Sequence, residues 1–171
     1  MLAQKKVQDT SIHYRGASVI NRNIVRRTLA RCAAVQTMYT SRFLCIRLHE
    51  AMNVFIDYWI PNHDFYKDMD VNFYKKLMLG YDDKTLRIVN NYYDNKIKTP
   101  FDSLASDIIT IAAIEMYNIK TKPTIVINEY IEIAKDFCSD KAVKFINFVL
   151  DRLYKDMCKI EANQLIMQKS V

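Results

Sequence analysis

The sequence predicts an all-α protein, and three observations carry that prediction. Its 171 residues include only two glycines and three prolines, too few for the tight turns that hairpins and phosphate-binding loops need. Half of the residues are hydrophobic, enough for one sizeable core in a chain too short for two. Apolar residues recur at helical spacing in segments bounded by Asn, Asp, Ser or Pro, the residues that start and stop helices.

Residues 1–20 read as a basic, disordered arm. Its start, MLAQKKVQDT, has two lysines but no apolar run or small-residue cleavage site behind them, so it is not a secretory signal; an organelle presequence is the alternative. Residues 21–157 read as a helical domain. Within it, NRNIVRRTLARCAAVQTMYTS is the first helix, with Asn21 or Asn23 as N-cap. Phe43 to Trp59 is the second, expected to end before Pro61, because a proline pushes the residue before it out of the helical region. A polar loop then leads to Asp70, which can cap one long helix, VNFYKKLMLGYDDKTLRIVNNYYDNKI, with Gly80 inside it as a kink or close-packing point. Pro100 closes that region.

Asp102 or Ser103 begins LASDIITIAAIEMYNI, which is apolar on most sides and so is expected to be the central, most buried helix. TKPTIVINEYIEIAKDF follows, with Pro123 suited to a first turn and Ile127, Ile131 and Ala134 on one face. Its β-branched run from Thr124 to Ile127 also suits a strand, but no second strand is available to pair with it. Ser139 or Asp140 caps the last helix, KAVKFINFVLDRLYKDM, and the C-terminal tail, 158–171, either continues that helix or frays.

Charge is unevenly placed. Met1 to Arg47 holds nine Lys and Arg against one acid, Asp9, a balance of +8, and the other 16 basic and 18 acidic residues leave −2. Such asymmetry points to an anionic partner, nucleic acid or an acidic membrane surface, although a solvated basic arm has the same charge. No apolar run approaches the roughly 20 residues of a membrane-spanning helix. Cys32, Cys45, Cys138 and Cys158 form no CxxC pair and are expected to be reduced, mostly buried thiols in a cytoplasmic protein.

The last helix sorts its residues by face. At about 100° per residue from Phe145, Ile146, Val149, Leu150, Leu153 and Met157 fall between about 40° and 140°, a core stripe. Lys141, Lys144, Phe145, Phe148, Arg152 and Lys155 fall together between about 260° and 360°. Rings among cations suit single-stranded nucleic acid, with bases stacked on the rings and phosphates on the cations. The other reading makes both rings core at the edge of the stripe, covered by lysine stems.

Catalytic chemistry has no support. His13, His49 and His63 form no metal-binding pair, and Gly16 and Gly80 stand alone, so neither a phosphate loop nor a dinucleotide motif is present. Glu129 and Glu132 are three residues apart, a spacing that suits an acid–base pair or a metal, but the expected roles are support of a neighbouring helix for Glu129 and a solvent-facing place near Lys135 for Glu132. No catalytic residue, metal ligand or cofactor is predicted.

Arg27 to Tyr39, Lys75 to Tyr81 and Lys122 to Leu153 resemble stretches of the NusB family of bacterial antitermination factors. The first helix fits R-x-x-A-R-x-x-A-x-Q-x-L-Y through Arg27, Ala30, Arg31, Ala34, Val35, Gln36, Met38 and Tyr39. KKLMLGY, Lys75 to Tyr81, is similar to the family's L-L-x-G-V. In Lys122 to Leu153, residues such as Asn128, Glu129, Glu132, Lys135, Phe145, Asn147 and Asp151 stand as in the family. The resemblance covers Asn21 to Asp156. It implies a compact bundle of about seven helices in two packed subdomains, and a non-catalytic role.

The resemblance also implies partners. Family members pair with the small-subunit ribosomal protein that serves as NusE and grip single-stranded boxA RNA of nascent ribosomal RNA leaders. This links the transcript indirectly to RNA polymerase and other Nus factors, suppresses Rho-dependent termination and supports ribosome biogenesis. The start of the first helix and the phenylalanine matching Phe145 touch RNA in that family. The expected RNA set is therefore Arg22, Arg26, Arg27, Arg31, Lys141, Lys144, Phe145 and Phe148, with Tyr39 and Ala105 on the partner side. Ala105 and Thr110 replace a family acid and arginine. Phe148 replaces a residue that is small in many relatives, and it can extend the stacking surface or plug it. Arg27 and Arg31 share a helical sector with Ala34 and Met38, which gives one of them a structural reading. A helical interaction module or homodimer with a weakened RNA surface is the alternative.

Overall fold

The computed structural model describes residues 22–96 and 103–169, which form seven helices and no strand. The arm, residues 1–20, and the side chain of Arg22 lie outside the described residues. No helix among the described residues is long and apolar enough to cross a membrane.

Helix α1, Arg22–Phe43, ends where Cys45 turns left-handed at φ 54° and the Ile46 N–H donates to the Ser41 carbonyl at 3.0 Å. This closes the helix as a glycine usually would. Helix α2 begins at Leu48–Val54, five residues later than expected from Phe43, and continues past Pro61 through a wide turn, Phe55–Trp59, to Ile60–Asn62. In the wide turn the Ile60 N–H reaches back to the Phe55 carbonyl. That register shift precedes Pro61, which has no N–H to give, and lets the helix run on.

Asp70 caps α3, Val71–Leu79, by accepting from the Phe73 N–H at 2.9 Å. The single long helix expected here is two helices. Gly80 to Asp82 breaks it, and Asp82 caps α4, Asp83–Lys96, accepting from the Thr85 N–H at 2.7 Å. Gly80 is a close-packing point: a Cβ there would lie 2.6 Å from Cγ2 of Ile114, which is fully buried. Gly80→Ala is accordingly expected to cost on the order of 1–3 kcal/mol of stability through overpacking. A denaturant midpoint equal to that of the unmodified protein would show that the contact relaxes freely.

Helix α5, Ser103–Ile114 with a wide final turn Glu115–Ile119, is the central helix, with Ala105 and everything from Asp107 to Met116 buried. It touches α1, α3, α4, α6 and α7. Pro123 opens α6, Pro123–Phe137, in its first turn, and Thr124 to Ile127 is helical. Helix α7, Asp140–Lys169, takes up the tail from Cys158 as its continuation. The seven helices share one continuous core, with Ile146, Val149, Leu150 and Leu153 fully buried in it.

Candidate nucleic-acid interface

Arg26, Arg27 and Arg31 of α1 lie in three environments. Arg26 is exposed; its Nε–H donates to the Asp68 carbonyl at 3.0 Å, and the Asp70 N–H donates to the Arg26 carbonyl at 3.1 Å. The turn before α3 thus braces the start of α1. Arg27 is half-exposed, 3.9 Å from the Asp70 carboxylate and 5.0 Å from the centre of the Phe73 ring. Such contacts orient a guanidinium without neutralising it in water.

Arg31 is a correction to the expected RNA set. It is 3% exposed, its Nε and Nη2 donate to the two Glu115 oxygens at 2.9 and 2.7 Å, and its Nη1 donates to Glu129 at 3.1 Å. Burial alone would lower its pKa, but the hydrogen bond and charge of Glu115 outweigh that and raise it. Arg31 is an internal cation that joins α1, α5 and α6, and it cannot reach a phosphate from there. Thr28 adds to the joint by donating to Glu129 at 2.6 Å. The sector shared with Ala34 and Met38 was the only sequence signal for this role. Phe73, which carries both Arg27 and Arg31 against its ring, had no sequence signal.

On α7, Lys141, Lys144, Phe148, Arg152 and Lys155 are exposed on one side of the helix and the core stripe lies on the other. Phe145 sits between these limits, half-buried and packed against the core. Phe148 is 49% exposed, with the Arg152 guanidinium 5.3 Å from its ring centre. Lys155 pairs with Asp151 at 2.6 Å. Helix α6 joins the two basic places: Glu129 holds α1, and α6 turns into α7 through Cys138 and Ser139 and packs along it.

The expected partner residues divide. Tyr39 is 38% exposed, stacks on Phe43 with ring centres 6.0 Å apart, and lines an apolar groove of about 480 Å³ between α1, α2 and α6. Ala105 is 1% exposed, so its own side chain offers a partner no surface; its neighbour Leu104 lines the groove instead. Arg42 pairs with buried Asp107, two residues further along α5.

The family model for the NusB family matches residues 28–155. The chain belongs to the NusB family. The transcription antitermination protein NusB of Campylobacter jejuni (strain RM1221) is 33% identical over 126 residues, covering 71% of this chain and 93% of that protein. The protein of the same name from Haemophilus ducreyi is 30% identical over 131 residues, 74% and 91% of the two chains. That from Clostridium perfringens (strain 13 / Type A) is 27% identical over 138 residues, 78% and 99%. The family is one of transcription antitermination proteins. Of the four free cysteines, Cys45 and Cys158 are exposed and Cys32 and Cys138 half-buried, against the expectation of mostly buried thiols. Burial, with the charges of Asp136 and Glu129, pushes the Cys32 thiol up to about 11, far from the range of a reactive thiolate. Glu132 pairs with Lys135 at 2.6 Å, and Glu129 serves the Arg31 joint. The NusB match begins at Thr28 in α1 and ends in α7, so Lys141, Lys144, Phe145 and Phe148 lie within it and Arg26 and Arg27 immediately precede it.

Proposed function

We propose that this NusB-family protein is an RNA-binding antitermination factor of the cytoplasm. With the ribosomal protein that serves as NusE, it binds single-stranded boxA RNA in nascent ribosomal RNA leaders, suppresses Rho-dependent termination and supports ribosome biogenesis. RNA polymerase and other Nus factors are its indirect partners. The observation that carries the reading is the α7 face, where exposed Lys141, Lys144 and Arg152 surround one exposed and one half-buried ring. Cations on phosphates and rings on bases are what a sequence-tolerant grip on single-stranded RNA needs. Arg26 and Arg27 supply further positive charge at the start of α1, and the N-terminal arm adds to it. The groove beside Tyr39 is the docking place for NusE in this reading, and its apolar lining also suits a second copy of the chain. Copurification with NusE, together with binding of a boxA oligonucleotide, tests the proposal. Loss of both, with a dimer in sedimentation, would favour the homodimeric interaction module.

Phe145→Ala isolates the ring. It is expected to cost about 1–3 kcal/mol of RNA binding if one base stacks there. The stability cost should stay below the roughly 3–5 kcal/mol of emptying a fully buried phenylalanine site, because part of the residue remains exposed. No charge is removed, so the salt dependence of binding should stay unchanged. Paired unfolding and RNA titrations check this; a large stability loss with normal RNA affinity would make Phe145 a core residue only.

A further inference from the structure

Along α7, residues four apart stand above one another, and one such row reads Lys144, Phe148, Arg152: cation, ring, cation. Phe148 leaves half of its surface in water, a poor use of an aromatic ring unless something covers it. Its charged surroundings identify the class of cover. Neither Lys144 nor Arg152 has a carboxylate partner among the described residues, and Lys141 one turn earlier has none either, so the ring lies in a positive field that repels basic protein surfaces and attracts an anionic strand. Arg152 keeps its guanidinium over the ring at 5.3 Å, where it can move to a phosphate when a base takes the ring face. Phe145, three residues before, is only about 4.5 Å along the helix axis. The two rings therefore follow one another along one track.

We propose that Phe148, between Lys144 and Arg152, is a second base-stacking site that adds one nucleotide to the RNA held at Phe145. The inference rests on the RNA-binding reading above and goes beyond it by assigning a separate nucleotide to a separate ring. The ring stacks on the base, which is sequence-tolerant, and the flanking cations take the phosphates on either side.

The test uses the full chain, a short boxA RNA and copies of that RNA lacking one base at each position in turn. Phe148→Ala should weaken the intact RNA by roughly 5- to 100-fold, and Phe148→Trp should restore binding. One base-less RNA should bind the unmodified protein that much more weakly yet bind Phe148→Ala no worse than the intact RNA does. That position should differ from the one which becomes silent in Phe145→Ala. The unfolding midpoint should hardly move, since the ring is half-exposed. Salt-dependent RNA binding by the unmodified protein, with Phe148→Ala unaffected or equally weakened at every position, would overturn this inference and leave the RNA reading standing. Loss of self-association in Phe148→Ala with normal RNA affinity would also overturn it, by making the ring a protein contact. No RNA binding by the unmodified protein would instead remove the RNA reading itself.

Discussion

Arg31→Ala is expected to destabilise the protein by about 3–5 kcal/mol, because it leaves a buried carboxylate without its partner. Glu115 is fully buried and receives two hydrogen bonds from Arg31 at 2.7 and 2.9 Å, while Glu129 receives a third at 3.1 Å. Removing the guanidinium strands that charge at the junction of α1, α5 and α6. Removing both sides of the pair, as in Arg31→Met with Glu115→Leu, should cost much less, since packed apolar residues often replace a buried ion pair with little loss. Denaturant unfolding of the single and double variants checks this. A single variant as stable as the unmodified protein would show that water reaches Glu115. At RNA concentrations that saturate the folded fraction, Arg31→Ala should bind like the unmodified protein, since Arg31 does not face the surface.

The double variant Arg26→Ala, Arg27→Ala should do the opposite, losing RNA and keeping the fold. Both side chains are exposed, and their contacts to Asp68, Asp70 and Phe73 lie at the surface, where substitutions usually change stability by about 0.5 kcal/mol or less. Each single-strand phosphate contact contributes about 0.7 to the slope of log affinity against log salt. Losing two should flatten that slope by about 1.4 and weaken binding roughly tenfold near physiological salt, on all RNAs alike. An unchanged slope in a salt titration would take α1 out of the RNA surface.

How far the sequence was legible follows from how local each signal is. Asp70 as a cap, Pro123 as a helix start and the core stripe of α7 depend on a few neighbouring residues, and the structure has all three. Gly80 reads as a kink or close-packing point inside one helix; the close packing on Ile114 is present, but that distant contact and the new cap at Asp82 make two helices of it. Pro61 stops an ordinary helix, and the wide turn that carries α2 past it has no sequence signature. The site shows the same division. The faces of α7 follow from periodicity. Arg27 and Arg31 share the sector of Ala34 and Met38, and only the contacts of Arg31 with Glu115 and Glu129, 84 and 98 residues away, decide which of the two is structural. The resemblance puts Ala105 at a partner contact, but the fold buries its side chain, which depends on neighbours distant in the chain.

The affinity of the full chain for single-stranded boxA RNA, measured with and without the NusE protein, bears most directly on the proposed role. A boxA-binding role requires salt-sensitive binding by the chain alone, tighter binding when NusE is present, and a preference for boxA over a scrambled RNA of the same length. Equal affinity for boxA and the scrambled RNA, or no RNA binding in either the presence or the absence of NusE, would contradict it.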